Sequence, residues 1–308
     1  LLLVSCVVVN RAVLMPPQPH SANDEADATP LDVRGFKERE RQRILSALEE
    51  HSWNRAKAAD AQAQKARSDA EGLVAFLIED FYEELEPTGR LETMGKLAHE
   101  AVSYYDGLPQ DLMTPKTQIY RGMALVREGS ALLAVGEVES ANAKLYAATG
   151  IFTRLREAGE RGEGVAVGLA RSKFARFASW DLAGAPGAKS SDLDDVIEWL
   201  KPYVDRGDAT RRAKILYADA LHFRSHHRPD RRVAIAECEQ ARAVLETLGA
   251  RELKDLTAAT AYADATDSQT RHMIELGLIT DAEPLATEIY DIADKVLVQR
   301  PGDLRAMT

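Results

Sequence analysis

The stretch Leu125–Ala148, LVREGSALLAVGEVESANAKLYAA, decides the fold. Its small residues stand where two antiparallel helices must meet. Gly129 removes a Cβ so that the helices approach closely. Gly136 ends the first helix, because a residue without a Cβ enters the left-handed region cheaply. Ala141 and Ala148 lie seven apart, on one face of the second helix, and leave room for a neighbour. One helix, a tight turn and a second helix is the unit of a helical repeat, and the same signs recur downstream in weaker form.

The 308 residues suffice for about six to eight such hairpins at periods of roughly 34–47 residues. Ala, Leu, Glu and Arg are plentiful and only 6% of residues are aromatic, which favours helix. No alternating run of β-branched residues is bounded by turn signals, so no sheet is expected. The net charge of −10 argues against a general nucleic-acid binder, whose affinity comes from neutralising phosphates. Two cysteines, Cys6 and Cys238, make neither a disulfide framework nor a four-ligand zinc site.

Outward from the central hairpin, residues 1–15 begin with an apolar run, LLLVSCVVV, too short to cross a bilayer that needs about 20 residues. It reads as the end of a truncated transmembrane helix. A signal-peptide core, and a misread reading frame or buried strand of a lost domain, are the alternatives. Arg11 followed by Asp24, Glu25, Asp27 and Asp32 leans toward a membrane-anchored protein with an extracytoplasmic repeat region; a cytoplasmic location is the alternative. Residues 16–31 form a Pro-rich flexible linker. Residues 32–118 form a helical N-terminal region with a long first helix. There Ala56, Ala59, Ala63, Ala66, Ala70, Leu73 and Leu77 alternate steps of three and four. This seam is expected to pack on the next helix or to pair two copies in a homodimer.

Residues 119–308 are expected to form the repeat array. After the central hairpin come helices at Glu163–Trp180 and from Ser191 or Asp192, with Pro202 marking a kink or early stop. Hairpins follow at Ala209–His222 with Arg231–Leu248, and at Leu256–Glu275 with Asp281–Leu297. Gly277 and Ala282 repeat the spacing of Gly136 and Ala141.

The small-residue pattern of Leu125–Ala148 resembles a tetratricopeptide repeat. FLIEDFYEELEPTGRLETMGKLAHEAVSYYDGLP at 76–109, AYADATDSQTRHMIELGLITDAEPL at 261–285 and KVLVQRPGDLRAM at 295–307 resemble the repeat regions of large bacterial signalling proteins. There such arrays follow an effector domain, often a serine/threonine protein kinase. The resemblance covers about residues 70–308, and the turn Pro87–Leu91 is its most specific piece. It implies an all-α superhelix of antiparallel hairpins, a right-handed solenoid whose first helices line a concave groove for a protein or peptide partner. Mapped on that pattern, the groove residues are Asp219, Phe223 and His226, then Asp264, Asp267 and Arg271. In the central hairpin they are Val126, Ser130 and Leu133, which lack the Lys and Asn pair that clamps a terminal carboxylate in some repeat proteins.

No catalytic, cofactor-binding or metal residue is expected. Gly89–Leu97 has the wrong spacing for a phosphate loop, with Leu97 where magnesium needs a hydroxyl. His99-Glu100 lacks a second His at Ser103. Gly159–Gly164 is an acidic turn and a poor phosphate cradle. Asp219, His222 and His226 share a helix face in metal-ligand spacing. Arg224, Arg228, Arg231 and Arg232 crowd a cation there, so a solvated helix end or a contact with an acidic partner is expected instead. The function expected is a non-catalytic interaction scaffold or sensory module in a signalling protein. The alternative is the regulatory region of a membrane-anchored enzyme, such as a protein kinase.

Overall fold

A computed structural model describes residues 41–42, 45–46, 55–82, 90–183 and 189–301. The expected membrane segment, the linker and much of the first part of the expected long helix lie outside these residues, as does most of the Pro87–Leu91 turn. The described residues divide into two compact units between 77 and 78. Among them every regular element is helical, and no helix is long and apolar enough to cross a membrane.

The first unit contains α1, Arg55–Phe76. Its seam residues Ala63, Ala66, Ala70 and Leu73 are exposed. Alanine buries little area, so the period alone brings little packing energy.

The second unit is an up-and-down array of nine helices among the described residues. These are α2 Leu91–Asp106, α3 Pro115–Ala134, α4 Val138–Glu157, α5 Glu163–Ala183, α6 Asp192–Arg206, α7 Arg211–His226, α8 Arg231–Glu246, α9 Leu256–Glu275 and α10 Ile279–Gln299. Each packs on the next. The odd helices begin at 115, 163, 211 and 256, steps of 48, 48 and 45 residues, against roughly 34 for a tetratricopeptide repeat. In the α3–α4 unit the lengthening comes from the two 20-residue helices; in the later units the connections lengthen too, nine residues joining Glu246 to Leu256.

Local signals start and stop these helices. Thr114 caps α3, accepting a hydrogen bond from the Thr117 amide at 3.2 Å, with Pro115 in the first turn where its missing N–H is harmless. Thr210 and Asp255 cap α7 and α9 in the same way. Gly136 and Gly277 turn the chain with φ of +86° and +77°. Pro202 does not stop α6, which runs on to Arg206. The carbonyl it leaves without an amide partner belongs to Glu198, an exposed residue.

Close approach at the central hairpin follows from its glycines. A Cβ on Gly129 would stand 2.8 Å from Leu145 Cγ and 3.1 Å from the Ala141 carbonyl oxygen. Ala141, Leu145 and Ala148 are fully buried on the facing side of α4. Phe152, also fully buried, projects from α4 between Gly122 of α3 and Gly168 of α5. Further along, one core joins α5 to α10 through Phe177, Leu193, Leu200, Leu216, Leu221, Leu245, Tyr262 and Ile292.

The next-but-one contacts are closest between α3 and α5, α5 and α7, and α7 and α9, all odd helices. The array therefore closes on its odd side and opens on its even side. Its continuous inner layer is α3, α5, α7 and α9. The even helices stand apart, with clefts between α4 and α6 and between α8 and α10.

Candidate functional site

The inner layer is held by polar and aromatic bonds between hairpins. At its α7–α9 end, Arg211 forms a forked pair with Asp255, one branch at 2.9 Å, and Asp255 also caps α9 through the Ala258 amide at 3.0 Å. Burial disfavours charge on Asp255, but the Arg211 guanidinium and the helix amides outweigh it and hold the carboxyl below its usual range. Between α5 and α7, the Glu163 carboxylate accepts from both the amide and the hydroxyl of Thr210, at 2.7 and 3.1 Å. Phe174 and Phe177 of α5 meet Phe223 of α7 edge to face, with centroids 5.5 and 6.1 Å apart.

Three histidines complete the α7–α9 contact. Ser268 Oγ lies 2.9 Å from His222 Nε2 and 2.7 Å from His226 Nε2. A hydroxyl has one proton to give, so one imidazole accepts from Ser268 and the other donates to it. Ser225 Oγ donates to the His222 carbonyl at 2.6 Å and accepts from His272 Nε2 and the Cys238 thiol, both at 3.3 Å. Burial, with His222, His272 and Arg271 nearby, pushes His226 down to about 3. Burial also lowers His272 and raises the Cys238 thiol to about 11. His226 and His272 are thus held neutral near neutral pH. Ser225 is completely buried and its proton points at a carbonyl, so it offers no nucleophile to solvent.

The solvated helix end expected at Asp219, His222 and His226 is instead partly interior, because α9 covers it: His222 is 1% exposed. Among the described residues no group of three or more His, Cys, Asp or Glu side chains is placed to hold a metal ion. Arg224, Arg228 and Arg231 are matched within the chain, Arg231 by Glu275. Arg224 pairs with Asp194 and Glu237 at 2.8 and 2.9 Å, and Arg228 with Glu237 at 2.9 Å.

The six mapped groove residues all lie on α7 and α9 and are all half-exposed. Asp219, Phe223 and His226 make one stripe, with steps of four and three. Asp264, Asp267 and Arg271 make the next, with steps of three and four. Four of them make contacts within the chain that can be named: Phe223 lies in the aromatic cluster, His226 bonds Ser268, and Arg271 pairs with Asp267 one helical turn away. Arg171 and Phe174 continue the half-exposed line onto α5, where the sequence mapping named no residue. On α3, Ser130 and Leu133 are half-exposed, but Val126 is 3% exposed and belongs to the core. A one-position drift in a 20-residue helix is enough to turn it inward.

Two clefts open on the even side. The α8–α10 cleft is lined by Arg242, Arg251, Pro284, Thr287, Glu288 and Asp291. The α4–α6 cleft is lined by Thr153, Arg156, Glu157, Arg161, Lys173 and Trp199. No protein-family model matches the chain, and no curated protein matches it.

Proposed function

We propose that this chain is a non-catalytic interaction scaffold of tetratricopeptide type, which takes a protein or peptide partner along its odd-helix layer. The observation that carries the reading is the single half-exposed surface running across α5, α7 and α9. Arg171, Phe174, Asp219, Phe223, Asp264, Asp267 and Arg271 share it, over a layer held rigid by Arg211–Asp255 and the histidine–serine bonds. A rigid layer with an aromatic centre and charged borders suits partner binding, because little order is lost on association and a few anchors set the affinity. Its setting in a larger bacterial signalling protein, anchored through residues 1–15, rests on the resemblance of 76–109 and 261–307.

Peptides selected on the chain from a displayed library test this reading. Phe223→Asp and Asp267→Ala should each weaken the selected peptides about tenfold or more, the loss of one anchor. Peptides that bind both variants as they bind the native chain would place the binding surface elsewhere.

Self-association through the exposed Ala63, Ala66, Ala70 and Leu73 is a further part of the proposal. Light scattering should report a dimer that Ala63→Glu with Ala66→Glu converts to a monomer; an unchanged mass in the variant removes this element.

A further inference from the structure

We infer that the cleft between α4 and α6 is an oxyanion-binding site, which takes a carboxylate or phosphate group against Arg156 and Arg161. It is separate from the odd-helix surface and does not depend on it.

The cleft has a volume of about 390 Å³ and is walled by α4, the turn after it, α5 and α6. Arg156 sits at the end of α4, with its guanidinium carbon 5.5 Å from the centre of the Trp199 ring. Arg161 comes from the turn before α5, and Tyr203 of α6 holds the Arg161 carbonyl at 2.7 Å, fixing that turn in place. Lys173 also lies beside Trp199, with its nitrogen 5.7 Å from the ring centre. Its charge is matched by Asp192, at 3.1 Å, and by Asp195. Burial opposes the ammonium, yet these two carboxylates hold the Lys173 pKa above its usual value. Lys173 thus forms a neutralised floor, and Glu157 is the acid among the lining residues. Thr153 adds a half-exposed hydroxyl to the same wall.

The companion cleft shows what such a place holds when the chain fills it. Between α8 and α10, Arg242 of α8 and Arg251 of the following turn converge on one carboxylate. Glu288 of α10 takes Arg242 at 3.0 Å and Arg251 at 2.7 Å. In the α4–α6 cleft the arginines again come from an even helix and the turn after it. The next even helix supplies Trp199 on that wall instead of a glutamate. Two arginines lining one cleft with an aromatic face, two hairpins away from a pair that grips a carboxylate, are set to grip one from outside. Guanidinium matches carboxylate and phosphate geometry equally well, so a small acid and the acidic side chain of a peptide are both possible sources.

The test follows the Trp199 indole signal in nitrogen-15 spectra of the full chain, assigned by Trp199→Phe. The probes are inorganic phosphate, glutarate and a short Glu-rich peptide. A saturable shift with any probe is expected, weakened about tenfold or more in Arg156→Gln and in Arg161→Gln, each the loss of a charge-assisted bond. Arg161 is an exposed turn residue, so its variant keeps the fold, as an unchanged melting curve will verify. Tighter binding of the peptide than of glutarate identifies a peptide source; equal or weaker binding identifies a small acid. No saturable shift with any probe, or a shift that survives both arginine substitutions, overturns the inference.

Discussion

Gly168 of α5 faces the ring of Phe152 on α4 so closely that a Cβ there would fall among the ring atoms. On the other side of the ring, a Cβ at Gly122 would stand 2.6 Å from Cζ. Phe152 is thus the wedge that sets the distance between α3 and α5, and the two glycines are the space it needs. Gly168→Ala should destabilise the array by about 1–3 kcal/mol or more, read as a lowered denaturant midpoint. Gly164→Ala, one turn earlier in the same helix, places its Cβ 3.8 Å from Ile119 and should be neutral or slightly stabilising, by up to about 1 kcal/mol.

The central hairpin has its own version of this contact. Gly129→Leu should cost roughly 1–3 kcal/mol or more, because the new side chain meets Leu145 and the backbone of Ala141. Retained thermal stability in that variant would count against the helix contact at Gly129.

The α7–α9 contact makes stability depend on pH. His226 titrates near 3 in the folded chain and near 6.5 when unfolded, so over that window the unfolded chain binds more protons. Stability from this group is complete above the unfolded value and is lost as pH falls toward the folded one. The slope for one histidine is at most about 1.4 kcal/mol per pH unit. His272 adds to it in the same direction. Urea unfolding between about pH 7 and pH 5, above most carboxylate titration, should show His226→Gln with a shallower fall than the native chain. An identical pH dependence in the two would mean that His226 takes up its proton as readily in the folded array as in the unfolded chain.

Asp255 serves both as the α9 cap and as the Arg211 partner. Asp255→Ala should therefore cost about 2 kcal/mol, the cap and part of an ion pair together, while Arg211→Ala should cost less because the cap survives. Chemical denaturation of the two single variants and the double variant gives the coupling directly.

The helical class, the turn at Gly136 and the full extent of Leu256–Glu275 were legible in the sequence. Each depends on local physics: helix period, a glycine past a helix end, a cap. What the sequence concealed is the set of contacts between hairpins. Gly122 and Gly168 read as ordinary helix glycines until Phe152 is seen between them. His222 and His226 read as a solvated helix end until Ser268, more than 40 residues away, is seen bonded to both. Val126 was misplaced because helices longer than the repeat pattern let its phase drift.

The most direct test of the scaffold reading is photo-crosslinking of a selected peptide to the intact chain. One reactive residue replaces Phe223 on α7, and another replaces Tyr290, which is 74% exposed on α10. The account predicts crosslinks from position 223 that excess unlabelled peptide suppresses, and none from position 290. Crosslinks from position 290 alone would contradict it.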